Sequence, residues 1–189
     1  MNDHLVIFYE QEQDFVCQVT DFLAEGLQKG ESCVVIATEA HRDAIAAALA
    51  ARGLLGRQDA SDSRIYRALD AGETLSKYML MGWPQAQKFA EAIEPVLAEA
   101  SQGGRKPLRL FGEMVAIEFE AGNKEAAIRI EELWNALGRR REFSLLCAYP
   151  IGRASRMRDY TALIRVCAEH THAGLPAEVW TAKHLAVAD

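Results

Sequence analysis

Glu113 is the first residue to weigh for chemistry, because it follows directly on a short apolar run, residues 108–111 (LRLF). That is where an α/β protein keeps a carboxylate for a metal, a water or a ligand. A turn carboxylate capping the next helix explains the placement equally well, and both readings stand. Arg109, inside the run, needs a counter-charge; Glu113 and Glu118 are its candidates, in a structural ion pair. Cys167, His170 and His172 make a Cys-x-x-His-x-His group that in principle offers three metal ligands. No fourth ligand is near in sequence and Cys167 falls on an apolar helix stripe, so no metal site is expected. His4 and His41 sit at opposite ends of parallel strands and are not expected to meet. There is no G-x-S-x-G elbow, and none of Cys17, Cys33, Cys147 and Cys167 lies at an identifiable basic helix start, so no catalytic residue is expected. Tyr9, Trp83, Phe111, Met114, Trp134 and Tyr149 either line an apolar pocket or pack the core.

The elements that must position these groups are legible from apolar spacing. Residues 106–150 form the central unit: a strand, a sharp turn, an amphipathic helix and a second strand over 143–148. In the helix Ala126, Ile130, Leu133, Trp134 and Leu137 recur at helical intervals behind an Asn123 N-cap. Before it come a strand at 4–9 (HLVIFY), a helix whose stripe is Phe15, Val19, Phe22, Leu23 and Leu27, and a buried strand at 32–38. An alanine-rich helix at 39–52, a more polar edge strand at 63–69 and a short helix through Leu75 and Tyr78 follow. Residues 79–84 (MLMGWP) are apolar but broken by Gly and Pro, which predicts irregular structure, a lid or a partner surface, with Pro84 in the first turn of a helix over 85–100. A loop over 151–155, a helix lined by Tyr160, Leu163, Ile164 and Cys167, and a weakly patterned tail close the chain. Five strands alternating with helices predict a three-layer α/β/α sandwich around a mainly parallel five-stranded sheet.

A chain of 189 residues, half of them apolar, builds one core without disulfides or metals. The four scattered cysteines read as reduced thiols. A net charge of −6 argues against nucleic-acid and anionic-membrane partners. No run is long enough to span a bilayer and no leader is evident, so a cytoplasmic location is expected. The turn after the first strand, EQEQDF from Glu10, has no glycine to wrap a phosphate, no lysine, and several carboxylates that repel one, so phosphate-loop hydrolysis is not expected. The stretch 26–32 (GLQKGES) follows a helix and precedes a strand, the reverse of a phosphate loop, and reads as a C-cap.

Several spaced motifs, HLVIFYE from His4, FLxxGL from Phe22, VIATxxH from Val35, FGEMV from Phe111, GN at Gly122, LWNxL from Leu133 and LCAYP from Leu146, together resemble the MEDS family, the methanogen/methylotroph DcmR-type sensory domains. The resemblance runs from His4 to about His172, which makes residues 1–173 the sensory domain and 174–189 a C-terminal tail. It implies a non-catalytic prokaryotic signal-transduction module for simple hydrocarbon derivatives, usually joined to a histidine kinase, an anti-sigma-type regulator or a DNA-binding domain. No output domain is expected within these residues, so signalling is expected through a partner or a homodimer, with no cofactor. The chain also looks like a distant relative of RecA/KaiC-type ATPases lacking the phosphate loop, which implies strand order 3-2-4-5-1. In that order the carboxyl ends of the first, fourth and fifth strands converge, and Tyr9, Glu10, Glu113, Met114, Tyr149 and Arg153 are expected to rim one ligand pocket. The alternatives are a degenerate nucleotide-binding protein and a ligand-free interaction adaptor.

Overall fold

In the computed structural model, which describes residues 3–56, 65–151 and 160–174, strands and helices alternate along the chain. The elements are β1 (His4–Tyr9), α1 (Glu12–Gln28), β2 (Ser32–Ala37), α2 (Glu39–Ala51), β3 (Tyr66–Asp70), α3 (Ala71–Tyr78), β4 (Met79–Leu80), β5 (Trp83–Pro84) and α4 (Ala86–Ala100). Then come β6 (Leu108–Gly112), α5 (Met114–Glu120), α6 (Lys124–Gly138), β7 (Ser144–Pro150), α7 (Tyr160–Ala168) and β8 (His172–Gly174). The main sheet has six strands in the order β3-β2-β6-β7-β1-β8, every neighbouring pair parallel. Its first five positions are the expected 3-2-4-5-1; β8 is a sixth strand where five were expected. Its three residues are exposed and carry no apolar alternation, so only backbone pairing with Leu5, Val6 and Ile7 makes them a strand.

Strand side chains point alternately to the two faces, and this divides the core in two. One face packs Ile7, Tyr9, Cys33, Val35, Phe111, Leu146 and Ala148 under α1 and α2. The other packs Val6, Phe8, Leu110, Cys147 and Tyr149 under α3, α4, α5, α6 and α7. Fully buried β2 is apolar without alternation because both of its faces are covered. In α1, Phe15, Val19 and Leu23 are fully buried, each contributing about 1.5–3 kcal/mol of burial free energy. The helix ends as expected: Gly30 takes φ +77° and Glu31 donates its N–H back to the Gly26 carbonyl at 2.9 Å.

Arg109 does not pair with Glu113 or Glu118. It projects toward the C-terminal end of α1, where its guanidinium donates to Glu31 at 2.6 Å, Glu25 at 3.0 Å and the Phe22 carbonyl at 2.9 Å. Glu113 lies past the opposite end of the same strand, out of reach. A side chain at Gly26 would sit 2.6 Å from the Arg109 Cδ, so this helix position has to be glycine for the arginine to cross it.

Three further expectations are corrected. Residues 79–84 are regular: β4 and β5 form a small antiparallel hairpin whose turn, Met81 at φ 50° and Gly82 at φ 76°, has the left-handed conformations that suit two-residue hairpins. Pro84 belongs to β5, and α4 begins after it. The sharp turn after β6 is the helix α5. In α7 Val166 is the buried residue and Leu163 and Cys167 pack against the core as expected, whereas Tyr160 and Ile164 are exposed. Asn123 does precede α6, but its amide donates to the Gly82 carbonyl at 2.8 Å and to Glu118 at 2.7 Å, pinning the hairpin to the α5–α6 connection. Among the described residues no helix is long and apolar enough to cross a membrane. Arg153, most of the 151–155 loop and residues 175–189 lie outside the described residues.

Candidate functional site

Glu113 sits between the ends of β6 and α5, and its backbone N–H donates to Ile36 of β2 at 2.9 Å, which locks it against the neighbouring strand. Its carboxylate does not cap α5. It accepts instead from the Thr38 N–H at 2.8 Å and meets His41 Nδ1 at 2.6 Å, both residues supplied by the β2–α2 connection. The other ring nitrogen of His41 meets Glu12, at the start of α1. A carboxylate–imidazole–carboxylate line therefore spans three strand-to-helix connections, running from buried Glu113 through half-covered His41 to exposed Glu12. The Phe15 ring lies 4.5 Å from that of His41 and 4.6 Å from that of Tyr9, giving the array an aromatic floor.

The hydrogen bond to Glu113 holds the His41 pKa above its ordinary value, against the opposing effect of burial. Burial pushes the Tyr9 hydroxyl up, and the charges of Glu12, Glu113 and Glu120 add to that. Burial likewise raises Glu120, with Glu113 contributing. The local field is thus negative apart from one imidazolium. Such a site accepts hydrogen bonds from an alcohol or amine and repels phosphate.

The expected common rim is only partly assembled. Tyr9 and Glu113 lie in this neighbourhood, with exposed Glu10 following Tyr9. Tyr149 does not join them. The β1–β7 register sets it beside Phe8, on the face opposite Tyr9, where it is fully buried and its hydroxyl donates to Glu131 at 2.7 Å. Met114 also turns to that face and is fully buried, its sulfur accepting from the Tyr78 hydroxyl at 3.2 Å. Tyr9 and Tyr149 therefore cannot line one cavity. Thr38, His41, Glu12 and Glu120 complete the site; Thr38 and His41 were signalled by the VIATxxH spacing at the end of β2 and Glu12 by the acidic turn after Tyr9, while Glu120 carried no signal.

A second cluster fills the sheet face that holds Tyr149. His4 Nε2 lies 3.2 Å from Glu131, Cys147 Sγ 3.2 Å from Glu131, and His170 Nε2 3.5 Å from Glu131. Burial is the largest influence on His4 and opposes its charge, but the hydrogen bond and charge of Glu131 together with the hydrogen bonds to Asn135 and Glu169 raise its pKa; burial pushes the Cys147 thiol well up and lowers His170. The Cys-x-x-His-x-His group does not converge: His170 turns inward, His172 is exposed in β8, and Cys167 packs at the edge of the core. Sequence reasoning missed Glu131. Its one signal was an acid on the buried stripe of α6, between Ala127 and Trp134.

The family model described as MEDS: MEthanogen/methylotroph, DcmR Sensory domain matches residues 3–172. The chain belongs to this family of sensory domains. Neither a search of curated proteins nor one of solved structures gave a match.

Proposed function

We propose that this MEDS domain is a non-catalytic sensor of a small organic molecule, a hydrocarbon derivative with a hydrogen-bond-donating head, and that it signals through a partner protein. The observation that carries this reading is the Glu12–His41–Glu113 array at the carboxyl ends of β1, β2 and β6. In open α/β sheets ligands bind outside those ends. Glu113 is held by Thr38 and His41, so it meets an incoming hydroxyl or amine without reorganising, while Tyr9 and Phe15 supply apolar surface. The acidic surroundings and the glycine-free turn after Tyr9 disfavour the nucleotide alternative, and the polar partners of the His41 ring are the carboxylates Glu113 and Glu12.

For the partner, a histidine kinase, an anti-sigma-type or transcription regulator, or a second copy, the β4–β5 hairpin is the proposed contact. Its Met81 is 98% exposed, with Leu80 and Trp83 largely exposed beside it. The test is a thermal-shift screen of small alcohols, amines and halogenated hydrocarbons against ATP with Mg²⁺. A shift with an organic ligand that Glu113→Gln removes while the free variant still unfolds cooperatively supports the reading. A micromolar dissociation constant for the nucleotide overturns it.

A further inference from the structure

We propose that His4, Glu131, Cys147 and His170 form a closed site for one zinc-class divalent transition-metal ion, separate from the Glu113 array. The four residues come from β1, α6, β7 and the turn after α7, and their ligand atoms all lie within 4.8 Å of one another. A tetrahedral ion with bonds of about 2.0–2.3 Å holds its donor atoms roughly 3.3–3.8 Å apart. One Glu131 oxygen lies 3.2 Å from His4 and 3.2 Å from Cys147, which are 3.6 Å apart, while His170 lies 3.5 Å from the other Glu131 oxygen, so an ion has to draw the four donors slightly together.

A chance meeting of polar groups does not explain how the two imidazoles are oriented. His4 Nδ1 is 2.9 Å from Asn135 Oδ1, and the Asn135 amide is turned by its own donation to the Glu169 carbonyl and carboxylate, both at 2.8 Å. His170 Nδ1 is 2.6 Å from the Val166 carbonyl. Each Nδ1 therefore carries a proton for an oxygen acceptor, so each Nε2 faces the cluster and offers its lone pair there once any proton His4 shares with Glu131 has left, the outer-shell pattern of metal-ligating histidines. The side chain of His170 is fully buried, and its Nε2 has no hydrogen-bond partner. A fully buried ring nitrogen aimed at the cluster and left without a hydrogen bond calls for a partner there, and a cation would supply it. Tyr149 steadies the carboxylate from behind at 2.7 Å.

Charge and access agree. A dication with one thiolate, one carboxylate and two neutral imidazoles is neutral, which a buried site requires. On binding, the Cys147 thiol proton, and any proton held between His4 and Glu131, leave to solvent. A cleft of about 610 Å³ lined by His4, Asn135, Glu169 and Thr171 borders the cluster at His4.

The experiment is titration of the full chain, purified without an affinity tag and stripped with chelator, with Co²⁺ and then Zn²⁺. The expected result is one Co²⁺ per chain, with the strong visible bands of a tetrahedral ion, a thiolate charge-transfer band, and displacement by Zn²⁺. Cys147→Ser removes the charge-transfer band. Asn135→Ala, which touches no metal, weakens affinity about 10–100-fold. His172→Ala and Cys167→Ser leave the spectrum unchanged. Wild-type protein that shows only the faint spectrum of hydrated Co²⁺ overturns the proposal, whatever the folding of the variants. So does a charge-transfer band that survives Cys147→Ser and is lost in Cys167→Ser.

Discussion

Two of the histidine–glutamate contacts among the described residues are built for different conditions. His41, in the first turn of α2, and Glu113, between β6 and α5, lie beyond the ends of the strands, with Glu12 extending the pair into solvent. His4 and Glu131 meet inside a sheet–helix interface, where Glu131 is fully buried and Tyr149 and Cys147 take up its remaining capacity. The first pair can exchange one of its partners for a small molecule at little cost to the fold. The second cannot, because every group around it is also part of the core. Position relative to the sheet, more than residue type, decides which pair is free to respond and which holds structure.

The sharpest way to break this contrast is to truncate the acid of each pair. Glu131→Ala leaves His4 charged and uncompensated in the core and is expected to cost about 3–5 kcal/mol. Glu113→Ala leaves the Thr38 N–H unpaired at a wetter site, at a cost of about 1–3 kcal/mol. Urea unfolding midpoints measure both, and equal losses would erase the distinction. Next in size is Tyr149→Phe, which removes a hydrogen bond to a buried carboxylate worth about 1.5–3 kcal/mol, whereas Tyr9→Phe costs far less in the same assay.

A smaller and pH-dependent effect belongs to His41. Its folded-state pKa is raised, chiefly by the hydrogen bond to Glu113, so its stabilisation is complete below the unfolded value of about 6.5 and is lost as pH rises through the folded value. Proton NMR titration of the His41 ring should therefore show a midpoint above 6.5 that falls back in Glu113→Gln, and the stability of that variant should lose this part of its pH dependence. Last, His172→Ala and Glu10→Gln, both exposed, should shift unfolding midpoints by less than about 0.5 kcal/mol.

What could be foreseen follows the range over which each cause acts. The apolar runs at 4–9, 32–37 and 108–111 declare themselves as strands, because burial is written into each residue and repeats locally. The Gly30 C-cap and the stripe of α6 were visible for the same reason. β8 was invisible because His172, Ala173 and Gly174 bury no side chain; their pairing energy depends on β1, far away in sequence. α5 passed for a turn because its seven residues are apolar on nearly every side and show no periodicity. Glu131 was missed because its partners lie at positions 4, 147, 149 and 170. Glu113 was found, but the partners that define it, Thr38 and His41, depend on β2 lying next to β6.

The short strand β8 has one more consequence. β1 carries Leu5 and Ile7 along what would otherwise be an open rim of the sheet, and β8 shields it over three residues. Thr171 adds two further ties, its N–H reaching the His4 carbonyl at 2.7 Å and its hydroxyl accepting the His4 N–H at 3.0 Å. Proteolytic nicking ahead of α7 would peel away this guard and present an apolar parallel rim to other chains, a template for strand-to-strand aggregation. Residues 160–174 thus cover a sheet edge that would otherwise be open to strand pairing.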